Sequence, residues 1–193
     1  MVLYLHHAAL LGYASAVVRS PDTDIFMILL YHAYTIKLNV YLDTGSGKHR
    51  KLVNVSELAH SLGEDYCATL LGFYVFTGED CTSAFKGMGK VRPLKMLEKA
   101  PRFHRAFRQL GDNWNVSSEV LKQLEQFTCL MYKQSRESSA DVARTKLLRK
   151  MVGEDKKLTS KSKVDLACLP PFFCSEATHS TCEPSRCNIQ TCC

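Results

Sequence analysis

Apolar residues recur at helical spacing over Val2 to Leu11, with Leu3, Leu5, Ala8, Ala9 and Leu10 on the pattern, and stop at Gly12, a residue suited to end a helix. Tyr13 to Arg19 predicts a strand whose Ala16-Val17-Val18 run is buried. Ser20-Pro21-Asp22-Thr23-Asp24 then turns the chain into a helix reaching about Tyr34. Here Ser20 is placed to cap, Pro21 suits the first helical position, and the two acids sit near the positive end of the helix dipole. Leu38 to Leu42 and Lys51 to Val55 predict two short strands joined through Asp43-Thr44-Gly45-Ser46-Gly47-Lys48. That connection reads as a hairpin turn. It is not a phosphate loop, because Leu42 stands where the first glycine is needed and His49 where a Ser or Thr is needed.

From there the pattern is helical. Ser56 to Leu62 ends at Gly63, and Glu64 to Phe76 ends at the breaker Thr77-Gly78-Glu79-Asp80. Pro93 to Lys99, Pro101 to Leu110, Ser117 to Tyr132 and Ser138 to Val152 follow as amphipathic helices. Ser117-Ser118-Glu119 carries a capping signal, Phe103 and Phe107 stand one turn apart, and Trp114 reads as a core plug between helices. Strand–helix–strand followed by helices predicts an α/β domain with a helical back half over residues 1–152. A polar linker, 153–165, and a cysteine-rich tail, 166–193, complete the chain.

Composition narrows the class. The 193 residues are 46% hydrophobic and 23% charged, ordinary for a globular domain, and no apolar run reaches membrane-spanning length. Met1 to Leu11 has no basic leading segment and makes a poor signal peptide, so an intracellular, reducing location is expected. Cys67, Cys81 and Cys129 sit in or beside apolar stretches and read as buried small hydrophobes. The tail cysteines, Cys168, Cys174, Cys182, Cys187, Cys192 and Cys193, are irregularly spaced, lack a Cys-x-x-Cys pair and have only His179 nearby. That spacing argues against a structural zinc module and for a disordered tail. A net charge of +6 leans toward an anionic partner.

Two stretches carry candidate chemistry. Asp22 and Asp24, two residues apart after a strand, can share a hard cation such as Mg²⁺ or Mn²⁺, or serve only as helix-start acids. Gly87-Met88-Gly89, flanked by Lys86, Lys90, Arg92 and Lys95, can present backbone N–H groups and positive charge to a phosphate, or form a tight turn between helices with solvated lysines. Arg102, Arg105 and Arg108 add to the basic character, whereas Arg144, Lys146, Arg149 and Lys150 read as an ordinary solvated face.

Taken together, Ser20-Pro21-Asp22-Thr23-Asp24 after a strand and, about fifty residues on, Phe76-Thr77-Gly78-Glu79-Asp80-Cys81-Thr82-Ser83-Ala84-Phe85-Lys86-Gly87-Met88-Gly89-Lys90 resemble the PIN-like, flap-endonuclease-type 5′ nucleases, and most closely the transposon-associated PIN-like proteins of invertebrates. The resemblance covers roughly Met1 to Pro171. It implies a Rossmann-like PIN sheet with a helix-hairpin-helix and a helical C-terminal half. It also implies a Mg²⁺- or Mn²⁺-dependent hydrolase of DNA, or of RNA, in which Asp22, Asp24 and Asp80 are metal ligands and catalytic residues. Lys86, Gly87, Gly89 and Lys90, with Arg92 and Lys95 beside them, would hold the nucleic-acid backbone, and Ser20 would be a neighbour of the site. No membrane and no small-molecule cofactor are implied, and a nuclear location suits a DNA-directed protein. The family places further acids, an N-terminal Asp and a Glu-Ala-Asp-like segment, ahead of the residues matching Met1 to Ala8, so the expectation is a domain without its front portion. Glu79 stands where the family has a cysteine or similar residue. The rival expectations are a non-catalytic nucleic-acid binder and an inactive mobile-element fragment.

Overall fold

Strand β1 (Ser15–Arg19) runs parallel to β2 (Asn39–Thr44), and the crossover that a parallel pair requires is supplied by α2 (Thr23–His32). Strand β3 (Lys51–Asn54) returns antiparallel to β2, giving a three-stranded mixed sheet in the order β1-β2-β3. The computed structural model describes residues 1–78, 85–111, 116–152 and 165–171. Among these, eight α-helices accompany the sheet, so the class is mixed α/β with helix predominating. None of the helices is long and apolar enough to cross a membrane. The chain divides into two compact units, Met1–Gly72 and Phe73–Cys193.

The first unit opens with α1 (Val2–Leu10). Its end is set by Gly12 at φ 86°, whose N–H meets Ala9 O while Tyr13 N–H reaches Ala8 O, at 3.1 and 3.2 Å. These two bonds satisfy carbonyls that the helix leaves open, and a residue with a Cβ resists that backbone angle. Val40 and Leu42 of β2 point to one face of the sheet and are buried with Leu29 and Leu30 of α2, Val55 and Ala59 of α3 (Val55–Leu62), and Cys67 of α4 (Glu64–Phe76). Alternation along the strands sends Val17, Tyr41 and Leu52 to the other face. Val17 is 63% exposed and, among the described residues, β1 pairs with β2 alone, so β1 is an edge strand with one covered face and not the buried strand that its β-branched run suggests. The β2–β3 hairpin forms as expected, with a 3-10 turn at Gly47–His49 inside the connection.

The second unit is helical: α5 (Val91–Glu98), α6 (His104–Arg108), α7 (Ser118–Met131) and α8 (Ala140–Val152). Pro101 opens a 3-10 turn, Pro101–Phe103, ahead of α6, which splits the single helix expected there. The core is aromatic. Phe127 lies edge-on to Phe107 (5.0 Å between centroids) and Phe103 (5.3 Å), while Phe73 meets Phe107 at 5.7 Å. Such pairs contribute about 0.5–1.5 kcal/mol each beyond the burial of their area. Ser117 caps α7 by accepting a hydrogen bond from Val120 N–H. Leu169, at the start of the expected tail, is 3% exposed; its carbonyl accepts from Tyr132 Oη, and Arg144 donates to the carbonyl of Pro170. Residues 165–171 therefore belong to the packed unit. Trp114 and the cysteines beyond Cys168 lie outside the described residues.

Candidate functional site

The acidic turn sits at the carboxyl end of β1. Ser20 N–H extends the ladder to Asp43 O at 3.1 Å, and Ser20 Oγ then accepts from Asp22 N–H at 3.1 Å. Asp22, extended at φ −84° and ψ 130°, caps α2 itself, its Oδ1 accepting from Asp24 N–H at 3.0 Å. This corrects the expectation of Ser20 as cap and Pro21 as first helical residue. A carboxylate is a strong acceptor for orphan helix N–H groups, so the helix begins two residues later, at Thr23. Asp22 is exposed and Asp24 half-buried. Both are oxygen donors at the carboxyl end of β1, where open α/β folds hold ligands.

A further carboxylate, one that the sequence presents as part of a turn, stands at the end of the neighbouring strand. Asp43 pairs in register with Arg19 at the end of β2 and is only 6% exposed. Arg50, from the hairpin connection, holds both its oxygens: Nε to Oδ1 at 2.8 Å and Nη2 to Oδ2 at 2.7 Å. Arg19 Nε stands 3.9 Å away. Arg50's hydrogen bonds hold the Asp43 carboxyl below its usual range despite the burial, and they raise Arg50 in turn. With both oxygens gripped by a guanidinium, Asp43 is a poor metal ligand. Among the described residues no three His, Cys, Asp or Glu side chains gather to hold a metal; Asp80 lies outside them.

In the second unit, the turn at Gly87 is closed by Met88 N–H to Phe85 O at 3.0 Å, with Gly87 at φ 75° in the third position, where a positive angle favours glycine. A Cβ at Gly87 or Gly89 would meet nothing within 4 Å, so both backbones stand open. The lysines on either side are engaged with protein. Lys86 Nζ lies 2.6 Å from Asp165 Oδ2, each raising the other's affinity for its charged form. Lys90 Nζ donates to Tyr74 O at 2.8 Å, Thr77 Oγ1 at 3.3 Å and Gly78 O, and sits 3.9 Å from the centre of the Tyr74 ring. It therefore closes the open carbonyls at the end of α4. Arg92 and Lys95 are exposed three residues apart on α5, and Lys99 continues their side of the helix one turn on.

No family model, curated protein or solved structure matches the chain.

Proposed function

We propose that the chain is a PIN-like, metal-dependent nuclease domain directed at DNA, with Asp22 and Asp24 holding a divalent ion. The observation that carries this reading is the paired acid turn at the carboxyl end of β1, braced by Ser20 and opening α2. A bound Mg²⁺ or Mn²⁺ would activate a water and stabilise the leaving oxygen of a phosphodiester. The chain's own contribution is positioning. The hydrogen bond from Asp24 N–H fixes one oxygen of Asp22, and the bond from Asp22 N–H to Ser20 fixes the turn that carries it. The Gly87–Gly89 turn offers backbone donors, and Arg92 and Lys95 attract the phosphate backbone.

The test is cleavage of labelled flap, single-stranded and duplex DNA, and of RNA, with Mg²⁺ or Mn²⁺, by the chain and by its Asp22→Asn and Asp24→Asn variants. Cutting that needs the ion and falls about a hundredfold or more in both variants bears the reading out. Cutting that survives both substitutions, or no cutting by a cooperatively folded chain, defeats it.

A second reading keeps the nucleic acid and drops the chemistry. The use of the Asp22 carboxylate as a helix cap favours it, since that role alone accounts for the residue. Under this reading Asp22→Asn leaves divalent-ion binding unchanged and strengthens DNA binding as negative charge is removed.

A further inference from the structure

Residues 1–18 contain no Asp, Glu, Lys or Arg. Helix α1 uses Leu5, Val2, Ala8 and Ala9 to pack on the core, yet Leu3 (82% exposed), Tyr4 (79%), Leu10 (85%) and Leu11 (63%) leave its other side bare and mostly apolar, with exposed His7 among them. A helix apolar all round is normally covered. The chain passes from α1 through exposed Tyr13 directly into β1. Asn39 N–H bonds to Ala14 O and Ser20 N–H to Asp43 O, so the even-numbered residues of β1 face β2. By alternation, the N–H and C=O groups of Ser15, Val17 and Arg19 point away from it. Among the described residues β1 pairs with β2 alone.

We propose that the open edge of β1 and the bare side of α1 form a self-association surface, occupied by a second copy of this chain. The two β1 strands pair antiparallel about a two-fold axis at Val17, joining two three-stranded sheets into one of six. In that register Val17 faces the partner's Val17 and exchanges both backbone hydrogen bonds with it, while Arg19 faces the partner's Ser15. The strand's single charge therefore never meets its own image. With no Asp, Glu, Lys or Arg from Met1 to Val18, two copies of the surface meet with only His6 and His7 able to gain charge near neutral pH, whereas a strongly basic or acidic partner would find little to pair with. At these exposures the six residues Leu3, Tyr4, Leu10, Leu11, Tyr13 and Val17 expose on the order of 900 Å² in all, enough to draw on for the roughly 800 Å² that each partner buries in a standard interface.

The experiment is the solution mass of the full chain, by sedimentation or light scattering across micromolar concentrations, beside two variants. Val17→Pro removes an N–H that points away from β2 and leaves the β1–β2 ladder intact. The pair Leu3→Glu and Leu10→Glu places like charges on the bare side of α1. Twice the chain mass for the native protein, falling to one chain mass in both variants with helical content unchanged, is the expected result. If Val17→Pro does not fold, the glutamate pair decides. A native protein of one chain mass throughout, a doubled mass that survives the variants, or open-ended particles indifferent to them overturns the proposal.

Discussion

Arg50 holds Asp43 as a fork, with Nε 2.8 Å from one carboxylate oxygen and Nη2 2.7 Å from the other, and so ties the hairpin connection to the end of the central strand. Two parallel bonds fix direction as well as distance. The pair stands beside the acidic turn, because Asp43 O also receives Ser20 N–H.

This pair gives the first unit an acid limit. The fork lowers the folded-state affinity of Asp43 for a proton, so its contribution to stability is complete above the ordinary carboxylate range and is lost as pH falls through the depressed value. The native chain is expected to lose melting temperature on acidification more steeply than Asp43→Asn. Parallel melting curves for the two proteins would contradict the assignment. Arg50→Ala should destabilise at neutral pH, where it leaves a buried carboxylate without its main partner.

The basic side chains of the second unit divide by role. Lys90→Ala removes the group that closes Tyr74 O and Gly78 O, and it should lower thermal stability by about 1–3 kcal/mol, the cost of leaving such groups unmade. Arg92→Ala and Lys95→Ala should leave stability within about 0.5 kcal/mol while weakening DNA binding at every sequence and reducing the salt slope by about one each. Thermal melts and binding titrations at several salt concentrations separate the two. Equal effects of all three on binding and none on stability would return Lys90 to the nucleic-acid surface.

Phe127 is the centre of the second core, fully buried and edge-on to both Phe103 and Phe107. Phe127→Ala should cost about 3–5 kcal/mol, since three rings surround the space that it would vacate. Chemical denaturation measures this directly. A loss below about 1 kcal/mol would mean that the helices collapse freely into the gap.

Much of the fold was legible because it is local. The hairpin between Leu42 and Lys51, the Ser117 cap and the Phe103–Phe107 spacing each depend on residues within a few positions of one another. What escaped depends on partners distant in sequence or in competition. Asp22 and Ser20 both can cap a helix, and the choice went to the carboxylate while the hydroxyl braced it. Asp43 looked like a turn residue because its partner is the arginine that ends the connection. Lys90 carried the charge expected of a phosphate contact, but its ammonium is bound twelve to sixteen residues back in the chain. Val17 is β-branched like a buried strand residue, but among the described residues its strand pairs on one side only and its side chain lies on the exposed face. Asp80, which the family resemblance also makes a metal ligand, lies outside the described residues.

The mixed sheet also implies an order of assembly. Closing β2 onto β3 spans the six residues 45–50, whereas closing β1 onto β2 spans the nineteen residues 20–38. The longer closure costs about 1 kcal/mol more entropy before its contacts form. The hairpin is therefore expected to close first, with β1 joining once α2 has shortened the path. Substitutions along β1 should then change the rate of unfolding more than the rate of folding, which makes the acidic turn at its end among the last parts of the first unit to be built and the first to be lost.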